Sequence, residues 1–233
     1  MDSISFYTET STFKKRKTWE GVYDKRNTHN FIKSVLLSTF VKEGFTIIDL
    51  GCGKGGDVKK LDILKIGKYI GVDNCKRTLE ICEERLSKTS IKDYTIIEKN
   101  MWEFPVTHCN IVSCQFSLHY AFESEEKADA TICNISNCLE KGGLLLGTIP
   151  FYKSCFKKEN VHIPGTELIL EEPTVNKQTL QCMAKKYRLE LKIWEPFLKY
   201  YENEKKKNSE LAKKMSAFLK PDKKYTVFVF EKL

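Results

Sequence analysis

The stretch "FTIIDLGCGKGGD", residues 45–57, constrains the fold more than any other. Its first half is short, apolar and β-branched, the composition of a buried strand. Its second half carries Gly51, Gly53, Gly55 and Gly56 and then gives way to a helical pattern. Strand, glycine turn and helix in that order open a βα unit. "KYIGVD" reads as a second strand ending in Asp73, and "NCKRTLEICEERLSK" places Leu79, Cys82 and Leu86 on one helical face. "DYTIIEKN" and "CNIVSCQFS" read as further strands, "EKADATICNISNCLEKGG" as a helix stopped by glycines, and "LLLGTIP" as a fifth strand. Strands that alternate with helices predict an α/β chain with a mostly parallel, doubly wound sheet. Ahead of them, "THNFIKSVLLSTFVKEG" has the apolar spacing of a helix.

The remainder divides simply. Residues 1–18 are rich in Ser, Thr and Lys and read as a basic flexible tail, leaving 19–233 as one domain. Residues 151–174 are polar and proline-containing and read as a lid-like insertion. "NKQTLQCMAKKYRLE" returns to helix, "LELKIWEPF" is a strand, and "KYTVFVFEKL" is a C-terminal strand with no crossover before it, hence an antiparallel edge strand.

A chain of 233 residues, 41% hydrophobic and 30% charged, is long enough to bury a full core. No apolar run approaches the roughly 18 residues of a membrane span, and the N-terminus lacks the apolar segment of a secretory signal. The nine cysteines are an odd number without a C-x-x-C pair, which favours reduced buried thiols over a metal site and points to a reducing compartment. A formal charge of +8 suits a polyanionic partner without establishing one.

"GCGKGG" satisfies the dinucleotide pattern G-x-G-x-x-G, but Asp49 precedes its first glycine. A carboxylate there would repel a pyrophosphate and attract a cationic ligand. Asp73, at the end of the second strand, is placed to accept from the hydroxyls of a ribose. The two acids together point to S-adenosylmethionine. Gln115, His119 and Tyr120 stand in the otherwise apolar "SCQFSLHYAFES", just past a strand's carboxyl end, where α/β sheets bind ligands. Phe116, Leu118 and Phe122 read as packing residues.

The blocks "RNTHNFIKSVL", "IIDLGCGKGGD", "SCQFSLHYAF", "MAKKY" and "YTVFVFEKL" together resemble the mRNA cap guanine-N7 methyltransferases, in a compact form like microsporidian or viral members. The resemblance spans about residues 26–233 and implies a class I, Rossmann-like methyltransferase. It assigns Lys33 to the methionine carboxylate of the cofactor, and Gly51, Gln115 and Tyr120 to cofactor contacts. It assigns Asn30, Lys54, Lys60, Arg85, His119, Glu172 and Tyr225 to the cap. Two positions depart from the family pattern: His29 replaces the first of two asparagines, and Asn100 replaces the acid that reads the adenine.

The expected reaction is methyl transfer to N7 of the terminal guanine of GpppN-capped RNA, in line and without general base or metal. His119 and Glu172 would position the guanine. The expected partners are capped RNA and other capping enzymes; a monomer located in the nucleus, or else the cytoplasm, is expected. Two other readings share these residues: a small-molecule methyltransferase, or a non-catalytic RNA-binding protein on the same fold.

Overall fold

Strand β1 (Thr46–Leu50) occupies the middle of the sheet, with β2 (Lys68–Asp73) on one side and β4 (Cys109–Gln115) on the other, both parallel to it. In the computed structural model, which describes residues 20–162 and 169–233, seven strands form one sheet, in the order β3 (Asp93–Glu98), β2, β1, β4, β5 (Leu139–Pro150), β9 (Tyr225–Lys232) and β8 (Leu189–Pro196). β3 and β5 extend the parallel part outward. β1 and β2 are buried on both faces, which is why they read as apolar runs and not as alternating patterns. The tail 1–18 and residues 163–168 of the insertion lie outside the described residues.

One face of the sheet is covered by α1 (Glu20–Phe40), α2 (Val58–Ile63) and α3 (Lys76–Leu86), which bury Phe31, Leu36, Leu61 and Leu79 against Ile47 and Tyr69. The other is covered by a 3-10 turn (Leu118–Glu123), α4 (Glu125–Cys138) and α5 (Lys177–Lys186), which bury Phe122, Ile132 and Leu180 against Ile48, Val112 and Phe228. All nine cysteines are free thiols.

The C-terminal strand β9 (Tyr225–Lys232) is antiparallel, as expected of a strand reached without a crossover. It sits one place in from the edge, between β5 and β8 (Leu189–Pro196), and β8 takes the outer position. The burial of Val227, Phe228, Val229 and Phe230 on both faces of β9 fits an interior place. Two helices absent from the sequence reading, α6 (Phe197–Lys207) and α7 (Ser209–Lys214), join β8 to β9. Their lysine-rich surface hides an apolar stripe of Phe197, Tyr200 and Tyr201. The helix expected to run on to Gly142 and Gly143 stops at Cys138, and both glycines join β5. The insertion forms a ribbon of two antiparallel strands, β6 (Lys158–His162) and β7 (Ile169–Pro173).

Strand order reverses between β1 and β4, so the carboxyl ends of these strands diverge and leave a crevice. Gly51 and Gly53 after β1, Asn74 after β2, and Phe116 and Ser117 after β4 border that crevice. Tight packing of the sheet near it makes a sharp prediction. A Cβ on Gly147 would lie 1.9 Å from the carbonyl oxygen of Cys114, a backbone atom that cannot yield, whereas one on Gly56 would meet nothing within 4 Å. Gly147→Ala is expected to lose about 3 kcal/mol or more of unfolding free energy in urea titration, and Gly56→Ala to stay near wild type.

Candidate active site

The glycine turn begins with Gly51 at φ +76°, a left-handed conformation that glycine adopts without strain. Its N–H and that of Cys52 both donate to the Val72 carbonyl, at 2.8 and 3.0 Å, so the turn is tied to the end of β2. Any side chain at Gly51 would collide with Ser117, whose Cβ would lie 2.3 Å from the added carbon. Ser117 in turn donates to the Leu50 carbonyl at 2.6 Å. The ends of β1, β2 and β4 are thereby drawn together.

Between them opens a cleft of about 590 Å³, whose lining includes Gly51, Gly53, Asp73, Asn100, Gln115 and Tyr120. Asp73 Oδ2 accepts from the Gly53 N–H at 2.9 Å and Oδ1 from the Cys75 N–H at 3.0 Å. Burial pushes its carboxyl up from the ordinary aspartate value, and those backbone donors hold the shift back. Thr148 donates to the Gln115 amide oxygen at 3.1 Å, fixing which way the amide faces. Asn100 accepts from Asn74 at 3.0 Å and donates to Glu103 at 2.9 Å, so an acid stands beside this amide.

A second cavity of about 210 Å³ is lined by His29, Phe116, His119, Tyr120, Pro150, Glu172 and Tyr225. Phe116 and Tyr120 line both cavities, so they form the wall between them. Phe116 is therefore more than packing, and its φ of +60° is strained for a residue with a side chain. Leu118 and Phe122 are buried, as read from the sequence. β7 presents Glu171 to the larger cavity and Glu172 to the smaller, the consequence of strand alternation.

The smaller cavity is rich in unsatisfied polarity. Nε2 of His29 and both ring nitrogens of His119 are buried with no hydrogen-bond partner among the described residues. Burial holds His119 neutral, lowering its pKa to about 3, with Lys224 acting the same way. Burial likewise lowers His29 to about 4 against the pull of Asp222. His119 Nε2 stands 3.8 Å from Glu172, too far for a hydrogen bond, while the Tyr120 hydroxyl donates weakly to Glu172 at 3.4 Å. Burial raises the Glu172 carboxyl, and Lys224 opposes the rise. The rings of Phe116 and His29 lie edge-on to Tyr225, at 4.9 and 5.3 Å between centroids.

Not every residue named from the sequence reaches a cavity wall. Asp49 does not. It shares the α1–α3 face of β1 with Ile47 and accepts from the Tyr69 hydroxyl at 2.9 Å. Burial, with the charge of Asp57 behind it, raises its carboxyl to about 7. An acid buried beneath the turn and pushed toward neutrality is poorly placed to greet a cation directly.

Lys33 pairs with Asp57 at 2.9 Å and Lys60 with the same carboxylate at 2.8 Å. Lys60 also donates to Asn30 at 3.3 Å. Burial opposes ionisation of Asp57, but the two lysines outweigh it and hold the carboxyl below its usual range. These four residues form a polar cluster on the α1 side of the turn, and Lys54 is half-buried within the turn itself. Arg85 is exposed in the last turn of α3, outside both cavities.

Sequence reading also missed several wall residues: Phe116, Met101, Trp102 and, in the smaller cavity, His29. The aromatic–polar mixture of "MWEF" after β3 is the one local signal that could have marked Met101 and Trp102. Among the described residues no group of three or more His, Cys, Asp or Glu side chains could hold a metal ion, and no helix is long and apolar enough to cross a membrane.

Residues 4–169 match the family described as the mRNA (guanine-N(7))-methyltransferase domain. The chain is 34% identical over 159 residues to an mRNA cap guanine-N(7) methyltransferase of Eremothecium gossypii, covering 62% of this chain and 37% of that protein. A protein of the same name from Candida glabrata is 28% identical over 263 residues, covering 89% and 63%. One from Saccharomyces cerevisiae is 36% identical over 138 residues, covering 54% and 32%. The aligned parts thus span from about a third to just under two thirds of these relatives.

Among solved structures, an S-adenosylmethionine-dependent methyltransferase from Clostridium acetobutylicum superposes with TM-score 0.62 at 13% identity, covering 89% of this chain and 92% of that one. The CcbJ methyltransferase of Streptomyces caelestis gives 0.64 at 12%, covering 88% and 90%. At such identities the likeness shows the class I methyltransferase fold and no more.

The buried histidines carry a pH signature. In the unfolded chain they protonate near 6.5; in the fold they resist until about 4 for His29 and about 3 for His119. Acidification from pH 6.5 toward 4 therefore loads protons on the unfolded state first and lowers stability, by at most about 1.4 kcal/mol per pH unit for each histidine. Urea titrations across that window are expected to show the loss, and a His29→Gln/His119→Gln variant to show a flatter slope.

Proposed function

From the premise that this chain belongs to the mRNA (guanine-N(7))-methyltransferase domain family, we propose that it methylates N7 of the terminal guanine of GpppN-capped RNA, with S-adenosylmethionine as donor. The observation that carries the reading is the pair of adjoining cavities divided by Phe116 and Tyr120. The larger has the acid and the close-approach glycine that a nucleoside needs. The smaller has buried, unpartnered donors and acceptors that a flat polar base would satisfy.

The residues of the larger cleft fit the donor. Asp73 stands in the cleft wall as the acceptor for a ribose hydroxyl, and Gly51 leaves no side chain in the way. Asn100 would take the adenine amino group, and Gln115 and Tyr120 line the same cleft. Lys33 is the cation available to a carboxylate, once shared away from Asp57. When bound, the donor supplies an electrophilic methyl group on a sulfonium.

The chain's own task is orientation. Guanine N7 carries a free lone pair at neutral pH, so no side chain has to remove a proton from it. Holding the two reactants in line accounts for about 7–11 kcal/mol of barrier reduction in well-oriented systems. Glu172 accepts from N1–H and the amino group of the guanine. These become more acidic as N7 acquires positive charge, so the hydrogen bonds strengthen toward the transition state. Neutral His119 and His29 can each donate and accept, and Tyr225 closes the cavity beside them. Lys54 and Lys60, with Asn30 beside Lys60, are the groups proposed for the triphosphate bridge, and Arg85 in the last turn of α3 is a further basic position. Cap methylation is a step of mRNA processing, so the nucleus is the proposed compartment and other capping activities are proposed partners.

Radiolabelled methyl transfer to GpppG-capped RNA, followed by nuclease digestion, tests the reading: label is expected in N7-methylguanosine, and label on a ribose oxygen or none at all contradicts it. Asp73→Ala is expected to weaken donor binding by roughly 100-fold or more in calorimetry. Glu172→Ala and His119→Ala are expected to cut turnover by about 100-fold while leaving donor affinity within a few-fold. Wild-type turnover in both would remove them from the guanine site.

A further inference from the structure

The region from α6 to the start of β9 carries a charge and a shape that neither cavity uses. Residues 199–224 hold nine lysines against four acids, so most of the chain's positive surplus is concentrated here. Acids answer only part of it: Lys199 pairs with Glu195, Lys207 with Glu204, Lys213 with Glu210, and Lys220 reaches Glu202 only at 3.9 Å. Lys206, Lys214, Lys223 and Lys224 are exposed.

Among these lysines two large apolar side chains point to solvent, Phe218 at 60% exposure and Leu219 at 38%. They are held there. The Tyr201 hydroxyl donates to the Ala217 carbonyl at 2.9 Å, and the Thr28 hydroxyl donates to the Leu219 carbonyl at 2.7 Å. α7 ends in a left-handed Ser216, with the Ala217 N–H returning to the Ala212 carbonyl, and Asp222 is pinned by Lys25 at 2.7 Å. The backbone on both sides of Phe218 is therefore fixed, and the ring is displayed by the fold. Lys205 Nζ lies 6.0 Å from its centroid.

This surface is continuous with the smaller cavity. Lys224 adjoins Tyr225 in the wall, its ammonium 5.0 Å from that ring, and its charge bears on His29, His119 and Glu172. Asp222, four residues past Phe218, reaches to 4.0 Å from the His29 imidazole. Beyond the triphosphate bridge, a transcript whose cap lies in that cavity has the exposed Lys220, Lys223 and Lys224 within this adjoining surface, and the ring displayed among them is Phe218.

Resting on the cap reading above, we propose that the α6–β9 connection is the track for the transcript body: Lys220 and Lys223 take backbone phosphates and Phe218 stacks on a base downstream of the cap. Charge complementarity together with a rigidly displayed aromatic ring is the signature of sequence-tolerant single-strand binding. A protein partner would gain from Leu219 and Phe218 but not from the density of unanswered lysines, and single-stranded RNA gains from both.

The test compares the wild-type chain with Lys220→Ala/Lys223→Ala/Phe218→Ala, using fluorescence anisotropy on an uncapped 12-nucleotide oligouridylate and methyl-transfer kinetics on the GpppG dinucleotide. The variant is expected to bind the 12-mer at least tenfold more weakly, with a salt-dependence slope shallower by about 1.4 for two lost phosphate contacts. Its KM for the dinucleotide and its donor affinity are expected to stay within twofold. Lys220→Arg/Lys223→Arg with Phe218→Trp is expected to restore 12-mer binding, which a merely structural role for these residues would not require. Unchanged 12-mer affinity and slope would overturn the track, as would an equal loss on dinucleotide and 12-mer. Failure of the wild-type chain to methylate any capped substrate would count against the cap reading alone, because the 12-mer titration still reports on the track.

Discussion

The arrangement depends on the carboxylate of Asp73. Its two oxygens accept from the Gly53 N–H in the turn after β1 and from the Cys75 N–H that leads into α3. One side chain thereby locks the glycine turn to the end of the neighbouring strand. Gly51 and Cys52 add two backbone bonds to the same strand end through the Val72 carbonyl. With the turn fixed there, Ser117 can pack directly on Gly51, and the segment carrying Phe116, His119 and Tyr120 is set against the cleft. Loosening this knot would disturb both cavities together, since Phe116 and Tyr120 belong to each.

Charge around the turn is distributed to keep ionised groups paired. Asp57 carries two lysines and stays ionised, whereas Asp49, buried nearby with only a tyrosine hydroxyl, is pushed toward neutrality. Two adjacent buried carboxylates cannot both keep full charge cheaply, and the lysines decide which one does. The same economy explains the neutral histidines of the smaller cavity. A charged imidazole there would lose hydration that the nearest acids, Asp222 at 4.0 Å from His29 and Glu172 at 3.8 Å from His119, do not outweigh, so the rings remain available as neutral hydrogen-bonding groups.

Much of the sheet was legible because buried parallel strands write themselves as apolar, β-branched runs bounded by glycine or acid. Gly51, Asp73, Gln115, His119 and Tyr120 were legible because they stand at the carboxyl ends of such runs. The rest depended on tertiary packing. α6 and α7 escaped notice because a lysine-rich surface outweighs their apolar stripe in a linear reading. β9 looked like an edge because nothing in its own sequence says that β8 pairs outside it. Asp49 does not reach the cavity wall because its face of the strand is set by the sheet: the turn it precedes borders the larger cavity, but its side chain lies on the face of Ile47 and Tyr69. His29 was read only as a departure from a pattern, and its place among Phe116, Phe197 and Tyr225 emerges from contacts between segments far apart in the chain.

The central claim is that donor and guanine occupy neighbouring cavities and meet across Phe116 and Tyr120. A crystal structure of the chain with S-adenosylhomocysteine and GpppG tests it most directly. The account predicts the homocysteine nucleoside against Gly51 and Asp73, and the guanine beside His119 and Glu172 with its N7 edge turned toward the sulfur. A guanine bound elsewhere, or one presenting its Watson–Crick edge to the sulfur, would contradict it.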